Sequence, residues 1–346
     1  MKLWVKTILA LLVIFSITAC CSRDEGKEYQ AKIADCSRNL ADHPRDAEPY
    51  LQRGLLYMQI GDFERAIADF NQARDLKPKD ALAYFCLGKA HVRHEDWDQA
   101  LAELNRALKI NPQHAKSYFL RGFIHAEKGK MDRALADYNR SLELAPQDSE
   151  THTYRGLAYA QKGDLDRALA DYRQSLALNP ISAETYRFRA AAYNQKGDWR
   201  RALKDANWAL EINPDDAATY ITRGLALHKK GDLNLAIADF NRAMMIDPRY
   251  SKAYSCRGAA FLGKGYYYRA LMDANRALEI NPKDAQAHFC KAQLLDQTGN
   301  KKEALTSYQN FLKHSASQPP VNITIAKARI RALQKGPGYW SAANKR

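Results

Sequence analysis

The sequence repeats itself with a period of 34 residues, and this period constrains the fold more than any other feature. Eight copies follow one another without insertion from residue 47 to residue 318. A unit of this length is too small to bury a core alone, so the copies are expected to stack side by side. The copies begin at Ala47, Ala81, Ala115, Ser149, Ala183, Ala217, Ser251 and Ala285.

Four positions of the repeat carry nearly constant residue types. Position 8 is Gly in six copies and Ala in two, position 20 is Ala in all eight, position 32 is Pro in seven, and position 4 is always Tyr or His. Small residues at positions 8 and 20 predict two closely packed helices. Gly at position 15 in seven copies predicts a turn between them, and the proline ends the second helix. Each copy is therefore predicted to be a helix–turn–helix unit.

This pattern resembles the tetratricopeptide repeat family over about four-fifths of the chain. The resemblance implies an all-α fold, a right-handed superhelical α-solenoid that binds protein or peptide clients. It also implies that positions 2, 5, 9, 12 and 13 of each first helix face the binding groove. The alternative is that some of these side chains pack between helices. The groove candidates implied by the resemblance are Leu51, Phe85, Lys89, Phe119, Phe123 and Arg187.

Both ends of the array differ from the regular copies. Residues 29–46 align with the second helix of a repeat and are predicted to form a degenerate N-terminal capping helix. Residues 319–335 place Ile323, Ala326, Ile330 and Leu333 on one helical face, which predicts a C-terminal capping helix. Residues 20–28 are expected to be a tether and residues 336–346 a tail.

The first 19 residues have the pattern of a secretory leader. Lys2 and Lys6 precede an apolar stretch from Thr7 to Thr18, which is too short to cross a bilayer. The leader ends in ITAC at Cys20, which resembles the lipobox of bacterial lipoproteins. That resemblance implies cleavage before Cys20 and a lipid on its thiol, and Cys21 in place of Asp favours the outer membrane. The alternative is an ordinary signal peptide or an uncleaved anchor.

Composition and motifs restrict the chemistry that the chain is expected to perform. The formal charge is +14, but charges of both signs alternate along the chain, which predicts solvated helix faces and not a nucleic-acid site. Hydrolase, kinase and zinc-peptidase motifs are absent from the sequence, so neither an enzyme nor a cofactor is predicted. His91 and His125 occupy position 11, where other copies have Tyr, which favours packing over metal binding.

Three cysteines, Cys86, Cys256 and Cys290, share position 6 of the repeat. Equivalent positions of neighbouring repeats are expected about 8–10 Å apart, beyond the reach of a disulfide. Buried free thiols are therefore predicted.

Opposite charges recur together at two positions of the repeat. Position 7 is Arg in six copies, and position 23 is acidic in seven. Because the two types recur together, they predict a structural ladder of ion pairs, which is preferred over a row of ligand-binding arginines.

The sequence leaves three functions open. The first is a lipid-anchored adaptor or scaffold that recruits protein clients, for example cell-wall enzymes, in the bacterial cell envelope, facing the periplasm or the exterior. The second is a pilotin-like assembly factor for a secretion or pilus system. The third is a purely structural envelope scaffold.

Overall fold

The computed structural model of the protein describes residues 23–315 and 320–334, which form α-helices and turns without any strand. The chain divides into two compact units, Met1–Asn179 and Pro180–Arg346, which are described separately. The predicted signal peptide 1–19, Cys20 and the tail 336–346 lie outside the described residues.

Each unit is a stack of helix–turn–helix repeats, as the sequence predicts. Successive helices pack against each other, and the first helices of neighbouring repeats within a unit also touch, so first and second helices form two layers. The helices of unit 1 are α1 (Arg23–Asp42), α2 (Ala47–Ile60), α3 (Phe63–Leu76), α4 (Ala81–Arg93), α5 (Trp97–Ile110), α6 (Ala115–Glu127), α7 (Met131–Leu144), α8 (Ser149–Gln161) and α9 (Leu165–Leu178). The helices of unit 2 are α10 (Ala183–Lys196), α11 (Trp199–Ile212), α12 (Ala217–Lys230), α13 (Leu233–Ile246), α14 (Ser251–Gly263), α15 (Tyr267–Ile280), α16 (Ala285–Gln297), α17 (Lys301–His314) and α18 (Pro320–Gln334).

The N-terminal helix differs from the sequence prediction at both ends. Helix α1 begins at Arg23, inside the stretch expected to be a tether, and ends at Asp42, before the predicted limit of 46. Acidic residues at 24 and 25 favour the first turn of a helix, and the carboxylate of Glu28 lies 2.6 Å from the ammonium of Lys32 one turn later. Pro44 disfavours helical backbone at the residue before it, so α1 stops early.

The turn between the two helices has the same backbone conformation in all eight repeats. The residue at position 15 has φ between +60° and +97°. Seven of these residues are Gly, which adopts this left-handed region without a steric penalty, and the eighth is Glu95. The predicted role of the position-15 glycines is thereby confirmed.

The small residues at positions 8 and 20 lie where the two helices of a repeat meet. All eight alanines at position 20 are fully buried. At position 8, a Cβ atom added to Gly224 would lie 2.5 Å from the ring of Phe240, and one added to Gly54 would lie 2.5 Å from Phe70. The glycines thus make room for the large residues at position 24 of the same repeats and let the two helices pack closely, as the small residues predict.

Position 4 fixes the junction between consecutive repeats. The hydroxyl of Tyr84 donates a hydrogen bond of 3.2 Å to the carbonyl of Pro78, six residues earlier. A histidine at this position makes the same contact, since Nε2 of His152 lies 3.0 Å from the carbonyl oxygen of Pro146. Both residue types therefore contact the carbonyl of a proline in the loop between consecutive repeats.

The predicted ladder of ion pairs is present in six repeats. In each, Nε and Nη2 of the arginine donate to the two oxygens of the aspartate, at 2.7–2.9 Å. Nη1 often reaches the repeat before, as Arg121 donates to Asn105 at 2.8 Å and Arg155 to Asn139 at 2.9 Å. The ladder therefore joins the helices within a repeat and sets the register between repeats. The six pairs are Arg53–Asp69, Arg121–Asp137, Arg155–Asp171, Arg189–Asp205, Arg223–Asp239 and Arg257–Asp273.

The three position-6 cysteines are buried free thiols, as predicted. Burial raises the pKa of Cys86, of Cys256 and of Cys290 to about 12. Their reactive thiolate form is therefore scarce at neutral pH.

Candidate protein-binding surface

The candidate surface consists of the first helices of the repeats, at positions 2, 5, 9, 12 and 13. Steps of three and four residues bring these positions onto one face of a helix. In unit 1 this face belongs to α2, α4, α6 and α8, and we call it the first-helix surface. Positions 5, 9 and 12 supply its apolar part in the early repeats, whereas positions 2 and 13 are mostly charged or polar.

Two of the groove candidates are core residues of unit 1. Leu51 is 3% exposed and packs in a cluster with Ala47 and Leu87, and Phe123 is 4% exposed. At these positions the alternative interpretation, packing between helices, describes what the structure shows.

An aromatic cluster surrounds Phe123 and fills the space between α6 and α8 beneath the first-helix surface. The ring of Tyr154 meets Phe119 edge-on at 5.6 Å and Phe123 at 5.7 Å. The ring centres of Trp97 and Phe123 lie 6.2 Å apart, and those of Tyr138 and Phe119 lie 6.0 Å apart. The cavity beside these rings has a volume of about 10 Å³, which is at the limit for one water molecule. The cluster thus lies beneath the surface, and the cavity beside it is too small to hold a side chain of a partner.

Phe85 and Phe119 are half-buried, so each packs against the core and is still partly open to solvent. Phe85 packs against the apolar clusters on both sides of α4, and the ring of His114 meets it edge-on at 4.8 Å. Burial holds the pKa of His114 below its ordinary value, which keeps the ring neutral at pH 7. The ring contact is therefore apolar.

The exposed residues of this face include the apolar Leu55 and Leu82 and the charged Lys89, beside polar residues such as Glu48 and Gln59. Leu55 is 40% exposed and Leu82 is 43% exposed. Lys89 is also exposed and lies one turn after Phe85 on α4. Leu82 occupies position 2 and was not among the groove candidates, although its helical position alone places it on this face.

The remaining candidate, Arg187, lies in unit 2 and is 7% exposed. Its Nε lies 3.2 Å from a carboxylate oxygen of Asp216, and its guanidinium carbon lies 4.3 Å from the centre of the Phe188 ring. Glu184 is 3.9 Å from Nη2. Arg187 is therefore held inside unit 2 by charge and ring contacts, and its guanidinium is not offered to solvent.

A histidine, His152, contacts the aspartate of one regular pair. Its Nδ1 lies 3.2 Å from Asp171, which also receives two hydrogen bonds from Arg155. Burial raises the pKa of Asp171, but the hydrogen bonds from His152 and Arg155 outweigh burial and leave that pKa below its ordinary value of 3.8. The carboxylate is thus charged at neutral pH and holds two helices together.

In the ranges 23–315 and 320–334, no three His, Cys, Asp or Glu side chains come together in a way that could hold a metal ion. Over the same ranges, none of the helices combines the length and the apolar character needed to cross a bilayer.

Models of the tetratricopeptide repeat family match five stretches of the sequence. The matched residues are 85–149, 54–95, 224–265, 149–181 and 274–306, and together they cover more than half of the chain. The sequence matches none of the curated proteins with which it was compared.

Solved structures of other proteins share the fold. A chain of the APC/C hetero-tetramer Cut9–Hcn1 is 18% identical with a TM-score of 0.66, over 77% of this chain and 52% of that chain. This chain therefore spans about half the length of that protein. A tetratricopeptide repeat protein from Parabacteroides merdae ATCC 43184 is 19% identical with a TM-score of 0.60, over 73% of this chain and 98% of that chain. YrrB, described as a TPR protein with an unusual peptide-binding site, is 26% identical with a TM-score of 0.44, over 57% and 97% of the two chains.

Proposed function

Because this chain belongs to the tetratricopeptide repeat family, we propose that it is a lipid-anchored adaptor of the bacterial cell envelope that holds protein clients on its first-helix surface. Tetratricopeptide arrays are scaffolds for protein or peptide binding. The observation that carries the finer proposal is the pair of exposed leucines, Leu55 and Leu82, on the same face as Phe85, a half-buried ring that packs against the cluster around Phe123.

The chemistry of this surface favours an apolar segment of the client, such as one face of an amphipathic helix. When a client covers half-exposed leucine and aromatic side chains, their apolar surface is removed from water. This stabilises the complex by about 25 cal/mol per Å² of apolar area buried. Lys89 beside Phe85 adds a positive charge at the edge, which favours an acidic residue next to the apolar segment. Phe85 is already packed against the aromatic cluster, so it loses little side-chain freedom on binding.

The anchor is supported by the leader sequence, which lies outside the described residues. Helix α1 begins at Arg23, three residues after Cys20. Three residues span at most about 10 Å, so a lipid on Cys20 would hold the start of α1 close to the membrane surface. Two or more acyl chains bind a bilayer durably, whereas one chain binds only marginally.

The anchor is tested by replacing Cys20. We expect Cys20→Ser expressed in a bacterial host to incorporate no radiolabelled palmitate and to keep its leader, because the thiol that accepts the lipid is gone. Cys21→Ser is the matched control, since it changes the neighbouring thiol only, and it should be labelled like the wild type. Palmitate in the Cys20→Ser protein would contradict the proposal.

The client class is tested by purification of the full chain from detergent-solubilised membranes. Cell-wall enzymes in the eluate would support the recruiting adaptor, and secretins or pilus components would support the assembly factor. If no protein is retained above a mock purification, the adaptor proposal fails and the purely structural scaffold is left.

A further inference from the structure

Repeat 8 keeps the base of the ladder but loses its acid. Lys291 stands at position 7, where six repeats have Arg, and Ser307 stands at position 23, where seven repeats have Asp or Glu. The ammonium of Lys291 donates to Asn275 at 2.8 Å. This contact repeats the one that Arg257 makes with Asn241 at 2.6 Å. Lys291 is thus held in the ladder position, and the side chain facing it lacks the carboxylate.

An open pocket occupies the place of the missing group. Its volume is about 470 Å³, and Lys291, Lys302, Ser307 and Asn310 are among the residues that line it. Lysine, serine and asparagine side chains all present hydrogen-bond donors. In the six repeats with an Arg–Asp pair, the space between positions 7 and 23 is filled by a carboxylate that receives two hydrogen bonds from the arginine, as Asp273 does from Arg257.

The charge balance of the pocket favours an anion. One carboxylate, Glu303, also lines it, but within the described part of the chain Glu303 forms an ion pair with neither lysine. Burial holds the pKa of the neighbouring His288 below its ordinary value, so this ring adds no charge at pH 7. The two lysines therefore exceed the one acid.

We propose that this pocket, called the repeat-8 pocket, binds a carboxylate of a partner polypeptide, which takes the place of the ladder aspartate that Ser307 replaces. The ligand carboxylate would accept hydrogen bonds from Lys291 and from the hydroxyl of Ser307, with Lys302 at the entrance. This site lies in unit 2 and is independent of the proposed client surface in unit 1. The carboxylate can come from an acidic side chain or from the free carboxyl end of a chain.

Three short peptides distinguish these sources by NMR titration of the ¹⁵N-labelled full chain in detergent. The first carries one glutamate between blocked ends, the second carries glutamine and a free carboxyl end, and the third carries glutamine between blocked ends. We expect the backbone amides of Lys291 and Ser307 to shift with at least one of the two acidic peptides. The affinity should exceed that of the neutral peptide about tenfold, as charge-assisted hydrogen bonds allow.

Variants at position 307 provide the matched control. Ser307→Asp supplies the missing carboxylate from within and should lower the affinity for the acidic peptide about tenfold. Ser307→Asn has nearly the same shape without the charge and should lower it less. Six repeats carry Asp at this position, so Ser307→Asp is compatible with the fold.

The three peptides distinguish the possible sources of the carboxylate. Binding of only the glutamate peptide assigns the site to side chains, binding of only the free carboxyl end assigns it to chain termini, and binding of both assigns it to carboxylates in general. The proposal is overturned if the neutral peptide binds equally well, if neither acidic peptide binds, or if Ser307→Asp leaves their affinity unchanged.

Discussion

Replacing Asp171 by alanine is expected to lower the free energy of unfolding by about 3 kcal/mol, since breaking a largely buried ion pair leaves a charge without its partner. The side chain of Asp171 is 7% exposed and that of Arg155 is 22% exposed. Both guanidinium hydrogen bonds of 2.7 and 2.9 Å would be lost, together with the contact to His152. Urea unfolding of the full chain, followed by circular dichroism, measures the loss.

The matched control is Asp132→Ala in the same unit. Asp132 also forms an ion pair, with Lys162, but the two side chains are 88% and 42% exposed. Exposed pairs of this kind contribute about 0–1 kcal/mol. If the two alanine variants lose the same stability, the ladder is not a structural element and its interpretation fails.

The pH dependence of the same comparison has a defined sign. The pKa of Asp171 is lowered in the folded chain, so its contribution is fully present above the ordinary pKa of 3.8. It is lost as the pH falls through the lower folded value. We therefore expect the difference between wild type and Asp171→Ala to be constant from pH 5 to 7 and to shrink only below about pH 4.

Adding one methyl group at Gly224 is expected to destabilise the protein by about 1–3 kcal/mol relative to the same change at Gly258, as overpacking of a filled core does. The new Cβ atom at 224 would lie 2.5 Å from Cε1 of Phe240, a ring that is fully buried. At 258 the nearest atoms lie at 3.3 Å, because position 24 of that repeat is Ala274. Thermal or urea unfolding of Gly224→Ala and Gly258→Ala measures the difference.

Both substitutions gain the same helix propensity, up to about 1 kcal/mol, so their difference isolates packing. Repeat 5 already combines Ala190 with Ala206, which is the arrangement that Gly258→Ala creates with Ala274. Equal stability of the two variants would show that the Phe240 ring moves aside freely, and the proposed role of position 8 would be wrong.

Periodic features of this protein could be predicted from the sequence because every repeat imposes the same local geometry. The turn at position 15, the buried alanines at position 20 and the Arg–Asp pairs each depend on contacts within one repeat or with its direct neighbour. Such contacts recur whenever the residue types recur. Eight copies also let a departure, such as Ser307, be recognised against the others.

The exposure of the candidate surface could not be predicted in this way. Leu51 and Phe85 share position 5, yet Leu51 is core and Phe85 is half-buried, since exposure depends on the size of the neighbours on adjacent helices. Arg187 shares the same position but is buried, and its ion-pair partner Asp216 lies 29 residues later. The early start of α1 could not be predicted from the repeat, because the residues before the first copy follow no period.

The central claim is that the first-helix surface of unit 1 holds the client. Leu55→Asp combined with Leu82→Asp tests it without entering the core, because both side chains are at least 40% exposed. Phe85 and Phe119 are less suitable, since both rings also pack against buried clusters. Leu235→Asp combined with Met272→Asp is the control, with two side chains in unit 2 that are each 56% exposed.

The measurement is the amount of client retained by each full-length variant purified from solubilised membranes, with folding checked by circular dichroism. The account predicts that the Leu55 and Leu82 variant retains about tenfold less client than the wild type, as the loss of central apolar contacts implies, while the control variant retains the wild-type amount. Full retention by the Leu55 and Leu82 variant, or an equal loss in the control, would contradict it.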